Sequence, residues 1–178
     1  MIDESRTRIM VRVPDNICKV IDVSAGYTHA SRPDVVIDAC RKFYTALCLK
    51  EMTIIQAVEE SKVQKEIALA AYYEEMESFI GSLRNDYEAS IKKGKEMVSI
   101  LVIFPYILFE QVNRIIGRTK QFKNHQDFIK IALMYFFSVE HQLREHEDQM
   151  DRFLESDDIQ DKVEELRKAI RSMDRPIQ

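Results

Sequence analysis

The sequence predicts a mainly helical protein with two copies of a strand–helix–helix unit, joined and followed by long helices. One observation is compositional: the 178 residues include only 4 glycines and 4 prolines. This is too few for the frequent turns of a β-sandwich or barrel, or for a glycine-rich nucleotide fold. A second observation is that two short apolar runs each end at a proline and precede amphipathic helical patterns. Elsewhere, apolar residues recur at helical spacing.

The first unit begins with a strand. Residues 8–13 alternate between apolar residues at the odd positions and Arg8, Met10 and Arg12 at the even positions. This alternation is the period of a half-buried strand. Pro14 is expected to end the strand, because proline cannot extend a hydrogen-bonded ladder.

Two helices are predicted after this strand. Asp15 or Asn16 is expected to cap the first helix, and Gly26 is expected to lie just past its end. Ser31 is expected to cap the second helix, and Pro33 falls in its first turn. The first unit therefore has the order strand, short helix, longer helix.

The second unit repeats this layout. Residues 99–104 form an apolar strand, a helical apolar face follows it, and a polar residue opens a further helix. The correspondence pairs Pro14 with Pro105 and Gly26 with Gly117 at an offset of 91, and Ser31 with Asn124 at an offset of 93. The sequence therefore predicts a duplication with a turn two residues longer in the second copy. The alternative is two unrelated units with ordinary helix caps.

Long helices are predicted between and after the units. The polar stretch from Glu59 to Glu66 predicts a bend in the connector, and Gly81 is a second candidate break. Residues 158–173 carry apolar residues at heptad spacing, which is typical of a helix that packs on a neighbour. The predicted organisation is a first unit over 1–45, a helical connector over 46–97, a second unit over 98–138 and acidic C-terminal helices over 139–178.

Several features argue against membrane or secreted proteins and against enzymes. No uncharged apolar run reaches the length of about 18 residues that a membrane span needs, and the N-terminus resembles no secretory signal. The 3 cysteines show no C-x-x-C spacing, so we expect reduced thiols in a cytoplasmic protein without a metal site or cofactor. Nothing resembles a catalytic dyad, a nucleophile elbow or a P-loop, so no enzymatic activity is expected.

The histidines do not change this expectation. His141 and Glu145 are four residues apart on a predicted helix, and His146 and Glu147 are adjacent to them. Such a group is typical of half a metal site or of a pH-sensitive patch, but no third ligand follows at a motif spacing. We therefore interpret it as part of a helix surface.

The net charge of −4 is unevenly distributed along the chain. Residues 1–44 carry +1, residues 45–98 carry −3, residues 99–137 carry +3 and residues 138–178 carry −5. The whole-chain charge therefore does not argue against a nucleic-acid partner. The acidic helices are expected to face away from such a partner, to set subunit spacing or to bind another protein.

The first unit resembles the ribbon-helix-helix family of DNA-binding regulators, the MetJ/Arc type. The resemblance lies in Arg8-Ile-Met-Val-Arg-Val-Pro14, the helix ending near Gly26, and Ala30-Ser-Arg-Pro-Asp34 opening the next helix. It covers residues 6–45 and, less closely, residues 98–138. In that family two units intertwine, and their strands form an antiparallel ribbon that enters the DNA major groove. The resemblance implies a mainly helical protein with tandem ribbon-helix-helix units and a function as a sequence-specific transcriptional regulator of double-stranded DNA.

The residues that such a ribbon would use follow from the strand period. Because the alternate apolar residues must face the helices, Arg8, Met10 and Arg12 are expected on the outer, base-reading face. Arginine can bond guanine O6 and N7 with both arms of its guanidinium. The alternative is that these arginines are ordinary charges that protect a strand edge. The candidate phosphate contacts are Arg6, Ser31, Arg32, Lys120, Lys123 and Asn124.

The second unit departs from the pattern at its outward strand positions. These are Ser99, Leu101 and Ile103, which are poorly suited to reading base edges by hydrogen bonding. We therefore expect this strand to be buried on both faces, beneath an acidic helix or against another subunit.

Two assemblies are open at this stage, and with them two functions. The two units of one chain can pair with each other, or the first strands of two chains can pair. The unlike outer faces favour the second assembly, a homodimer. The alternative function is a helical oligomerisation or partner-binding protein, derived from a ribbon-helix-helix regulator, with weak or no DNA binding.

Overall fold

The computed structural model describes residues 7–28, 30–61 and 64–154, and these are mainly helical. The elements in chain order are β1 (Thr7–Pro14), α1 (Asp15–Thr28), α2 (Arg32–Ser61), α3 (Lys65–Lys93), β2 (Met97–Phe104), α4 (Tyr106–Thr119) and α5 (His125–Leu154). Residues 1–137 form one compact unit, and residues 138–178 form a second unit that contains the end of α5. The predicted helix over 158–173 lies outside the described residues. No helix among the described residues is long and apolar enough to cross a membrane.

The two strands pair with each other, antiparallel, within one chain. The sequence favoured pairing between the first strands of two chains, and the structure differs from that expectation. The inner faces explain the result: Val11 and Val13 of β1 and Val102 and Phe104 of β2 are all buried. Burial of this shared apolar face stabilises the ribbon far more than any match between its solvent-facing side chains. Association of two chains through another surface remains a prediction.

The strand register places an approximate two-fold axis at the centre of the ribbon. Met10 lies directly opposite Leu101, and these two positions are separated by the offset of 91 predicted from the sequence. Helices α1 and α4 each have 14 residues and begin at the same offset. Helices α2 and α5 each have 30 residues and begin 93 positions apart. The two additional residues therefore lie between α4 and α5, as predicted.

The core repeats with the same offsets. Five of the six buried positions described in α2 recur in α5 at an offset of 93. The corresponding residues are Val35 and Phe128, Val36 and Ile129, Ala39 and Ala132, Cys40 and Leu133, and Phe43 and Phe136. Phe43 is fully buried, and its ring centroid lies 5.3 Å from that of Phe128 and 6.1 Å from that of Phe122. The aromatic cluster therefore joins α2 to α5 beneath the ribbon.

The connector is a helical hairpin that returns the chain to the ribbon. α2 ends at Ser61 and α3 begins at Lys65, so the predicted bend lies there. The predicted break at Gly81 is wrong: α3 continues through it, because helical backbone geometry accommodates an isolated glycine at a cost of about 1 kcal/mol. Near the end of α3, the Tyr87 hydroxyl donates to the carbonyl of Arg12 over 3.1 Å. This return allows two strands that are distant in sequence to pair.

The junction between β1 and α1 is held by the segment that precedes β2. Asp15 is the first residue of α1, and its Oδ1 accepts the backbone N–H of Lys95 over 2.9 Å. This bond holds the pKa of Asp15 below its usual value. The Asn16 side-chain amide donates to the carbonyl of Ser90 over 3.2 Å. The polar groups expected to cap α1 instead bind across to the end of α3 and the link that follows it.

The first helix of each unit extends beyond the glycine expected to follow it. α1 ends at Thr28 rather than before Gly26, and α4 ends at Thr119 rather than before Gly117. Neither glycine has a positive φ; the left-handed residue is Lys120, with φ of 54°. Glycine predicts a helix end only where the chain turns in that conformation, so this prediction was wrong by three residues in both units.

Candidate nucleic-acid interface

The outer face of the ribbon is exposed along its length. Its members are Arg8, Met10 and Arg12 from β1 and Ser99, Leu101 and Ile103 from β2. The strand period therefore predicted correctly which β1 side chains point outward. No helix among the described residues covers the outer face of β2, since Leu101 is 45% and Ile103 is 40% exposed. Burial of this face against another subunit stays a prediction. The helices of the compact unit cover only the inner face of the ribbon.

Each end of this face carries one arginine. Arg8 lies opposite Ile103, and Arg12 lies opposite Ser99. Four residues of strand separate the two arginines, which corresponds to about 13 Å. The centre between them is apolar, because Met10 is 48% exposed and faces Leu101. The ribbon therefore presents two separated cationic groups around an apolar centre.

The side chains of both arginines are exposed. Among the described residues, neither guanidinium has an ion-pair or hydrogen-bond partner. Three other arginines are paired with carboxylates: Arg32 with Asp22, Arg84 with Asp127, and Arg118 with Glu51. The base-reading positions thus differ from these paired arginines.

An open groove of about 500 Å³ lies between β1 and the start of α5. Its lining includes Arg8 and Met10 from the strand and Asn124 from the helix start, so it brings predicted base-reading and phosphate-contacting residues together. Gln126 closes the gap, because its side-chain amide donates to the carbonyl of Met10 over 3.1 Å. The helix start is therefore held against the free edge of the ribbon.

His125 forms part of the wall of this groove. Its ring stacks on Phe109 with centroids 4.7 Å apart and an interplanar angle of 9°. Its Nε2 lies 2.6 Å from Asn113 Oδ1, and an N–H there donates to this amide oxygen. Burial lowers the pKa of His125 below its usual value, so the ring is neutral at pH 7. Its contribution is a rigid surface rather than a charge.

The start of α5 is a capped helix terminus beside exposed lysines. Asn124 Oδ1 accepts the N–H of Asp127 over 3.0 Å, which confirms Asn124 as the N-cap. The Asp127 carboxylate accepts the N–H of Lys123 over 3.0 Å and the guanidinium of Arg84 over 2.9 Å. The side chains of Lys120 and Lys123 are exposed and have no partner among the described residues. This start can therefore present positive charge to an anion.

The start of α2 is capped in the same way, but its cationic side chain is paired with a carboxylate. Ser31 and Asp34 form reciprocal bonds, which confirm Ser31 as the N-cap and lower the pKa of Asp34. Arg32 binds Asp22 through two bonds of 2.5 and 2.8 Å. The two predicted phosphate contacts at this start are thus bonded to carboxylates. Arg6, the remaining one, lies outside the described residues.

Sequence reasoning missed the residues that position the start of α5. Gln126 and Arg84 were not singled out, because their bonds to Met10 and Asp127 join segments far apart in sequence. Asp127 was partly foreseeable, because an acidic residue three positions after a polar N-cap is typical of a helix start.

The described residues were also compared with the ligand sets of metal sites. No group of three or more histidine, cysteine or acidic side chains able to hold a metal occurs among the described residues. The side chains of the His141 and Glu145 group lie outside them. Cys18, Cys40 and Cys48 are free thiols, and burial raises the pKa of Cys40. These thiols are consistent with packing roles.

No protein family, curated protein or solved structure matches this chain. A functional conclusion must therefore be argued from the ribbon face, its free cations and the two helix starts beside it.

Proposed function

We propose that this protein is a sequence-specific DNA-binding transcriptional regulator, in which one chain supplies both units of a ribbon-helix-helix fold. The observation that carries the proposal is the ribbon face with the Arg8 and Arg12 side chains exposed and without a partner among the described residues. The major groove of B-DNA admits a two-stranded β-ribbon, and arginine pairs with guanine there through two hydrogen bonds. We assign Arg8, Met10 and Arg12 to base contact.

Phosphate contacts would come from the helix starts on either side of the ribbon. The side chains of Lys120 and Lys123 have no partner in the described part of the chain, and they lie at the start of α5 in the segment 99–137 that carries +3. Free N–H groups and the dipole of a helix start favour a bound phosphate. These contacts would hold the ribbon in register without reading sequence.

The number of ribbons in one chain and the charge of its C-terminal segment bear on the partners of the protein. One chain contains a complete ribbon, so a homodimer would present two ribbons to a longer DNA site. The acidic segment 138–178 carries −5 and would be repelled by phosphate, which favours a protein partner for it. Access to DNA implies a cytoplasmic location within the same proposal.

The test is DNA binding by the full chain across a salt series, measured by fluorescence anisotropy. The Arg8→Ala/Arg12→Ala variant is expected to lose about 2–6 kcal/mol of specific binding, since each bidentate arginine contributes about 1–3 kcal/mol. Lys19→Ala/Lys42→Ala is the matched control, because it removes the same charge from helix surfaces where both lysines are paired with aspartates. Undiminished binding by the double arginine variant, with an unchanged thermal melt, would overturn the proposal.

A second candidate function is supported by the apolar centre of the same face. Met10, Leu101 and Met97 are each more than 40% exposed, as at a protein–protein contact site. The candidate is a helical oligomerisation or partner-binding protein with weak or no DNA binding. Retention of the full chain on heparin and on nonspecific duplex DNA separates the two, because the regulator is retained at low salt and released at high salt.

A further inference from the structure

We infer that the ribbon reads a non-palindromic DNA site, one half through Arg8 with Ile103 and the other through Arg12 with Ser99. The inference rests on the proposed DNA-binding function and adds the kind of sequence that this function selects. The backbones of the two strands are related by an approximate two-fold axis. The outward side chains at the positions related by this axis are different.

The backbone symmetry follows from the register. With Met10 opposite Leu101 at the centre, the approximate two-fold axis relates position 8 to position 99 and position 12 to position 103. A ribbon from two identical chains would present the same pair of side chains at both ends. Here one end presents Arg8 and Ile103, and the other presents Arg12 and Ser99.

The two ends differ in the bases they can recognise. Each arginine can pair with a guanine through O6 and N7. Ile103, which is 40% exposed beside Arg8, offers an apolar contact of the kind that favours the methyl group of thymine. Ser99, beside Arg12, offers a hydroxyl that donates to or accepts from several base edges. A site with two equivalent halves cannot match both ends equally well.

The two helix starts beside the ribbon also differ, in the groups that they can offer to a phosphate. Beside β1, the start of α5 has Lys120 and Lys123, whose side chains are exposed and without a partner among the residues that the structure describes. The corresponding start of α2 has Arg32 bonded to Asp22, and Pro33 has no N–H to offer a phosphate. Phosphate contacts would therefore be stronger on one side, which orients the chain on its site.

The primary experiment is selection of binding sites by the full chain from a pool of random-sequence duplexes. The expected result is an enriched motif whose two halves differ. Each half contains a guanine, and a thymine lies next to the guanine in the half that Arg8 and Ile103 contact but not in the other half. Two inverted copies of such a motif are what a homodimer would select. A motif that is palindromic about the centre of a single ribbon would overturn the inference and leave the proposed function intact. No enrichment, together with no salt-dependent DNA retention, would overturn the proposed function as well.

A transposed variant tests whether these four side chains determine the site. Its substitutions are Arg8→Ser, Arg12→Ile, Ser99→Arg and Ile103→Arg. They move each side chain to its symmetry-related position and preserve composition and cross-strand pairing. The variant is expected to select the same motif as the natural chain. A different motif would overturn the assignment of specificity to this face.

A symmetrised variant tests the origin of the asymmetry. Ser99→Arg/Ile103→Arg places arginines at all four end positions, and we expect selection to shift towards a palindrome. Persistence of the original asymmetric motif would contradict the inference. Because opposing arginines destabilise a strand pair, a thermal melt accompanies this experiment, and the transposed variant keeps the inference testable should the symmetrised one not fold.

Substitution of single bases in the DNA tests directly which half of the site Arg8 and Ile103 contact. Replacing thymine by uracil beside the Arg8 guanine removes one methyl group and should weaken binding by about fourfold. Ile103→Ser should abolish that difference. Replacing the guanine of one half should weaken binding by roughly 5- to 140-fold, and Arg8→Ala should remove the effect in that half only. A methyl effect that persists in Ile103→Ser would contradict the assignment.

Discussion

The starts of α2 and α5 have the same local capping pattern but different long-range contacts. Each has a polar N-cap followed three residues later by an aspartate, Ser31 with Asp34 and Asn124 with Asp127. Among the described residues, the Asp34 carboxylate binds only Ser31 of its own cap. The Asp127 carboxylate also binds Arg84 of α3. Local pattern thus determines where a helix begins, and distant partners determine what that helix start can do.

The same comparison applies to charge. At the start of α2, Arg32 is neutralised by Asp22, and the bond to Arg32 lowers the pKa of Asp22. At the start of α5, the carboxylate of Asp127 is neutralised by Arg84, and the side chains of Lys120 and Lys123 have no partner within the described ranges. We therefore expect the two starts to respond differently to matched substitutions.

The largest expected difference concerns the two capping aspartates. Asp127→Ala removes a cap and the carboxylate that neutralises Arg84 in a partly buried site. Among the described residues, Arg84 then keeps only the carbonyl of Gln121 as a hydrogen-bond partner, and its Nε is already buried without one. We expect a loss of about 2 kcal/mol, below the 3–5 kcal/mol of a fully buried pair because the site is partly exposed. Asp34→Ala removes only an exposed cap and should cost about 1 kcal/mol. Urea denaturation measures both, and equal losses would contradict the comparison.

The next difference concerns salt dependence of DNA binding. Lys120→Ala/Lys123→Ala should reduce the slope of log affinity against log salt by about 0.9 for each lysine that contacts a phosphate. Arg32→Ala should leave the slope unchanged, because Arg32 is bonded to Asp22. Asp22→Ala, which releases Arg32, should steepen it. A slope that responds to Arg32→Ala as strongly as to the lysines would show that the ion pair opens on DNA.

The smallest effect concerns pH and His125, which occupies the position equivalent to Arg32. Burial holds the pKa of His125 below its usual 6.5, so the unfolded chain binds this proton more readily than the folded one. Stability should therefore fall as pH decreases from about 6.5 towards the lowered pKa. His125→Gln should remove this component, which is obtained as the difference between the two unfolding profiles. An NMR titration of His125 with a pKa at or above 6.5 would contradict the prediction.

Local signals account for the parts of the fold and site that the sequence predicted. Arg8, Met10 and Arg12 alternate with apolar residues, and a strand period of two places them on one face wherever that strand pairs. Ser31 and Asn124 cap helices because their side chains reach backbone groups within the same turn. The repeat offsets likewise depend only on positions along the chain.

Long-range pairing accounts for what the sequence left open or predicted wrongly. The sequence by itself determined the order of elements, the two helix caps and the outward residues of β1, because each depends on side chains a few positions apart. Only the tertiary structure decided that β1 pairs with β2, that Gln126 binds the strand at Met10 and that Arg32 is neutralised by Asp22. Those contacts depend on the shared buried face and on the return of the α2–α3 hairpin, which brings together segments that no local pattern connects.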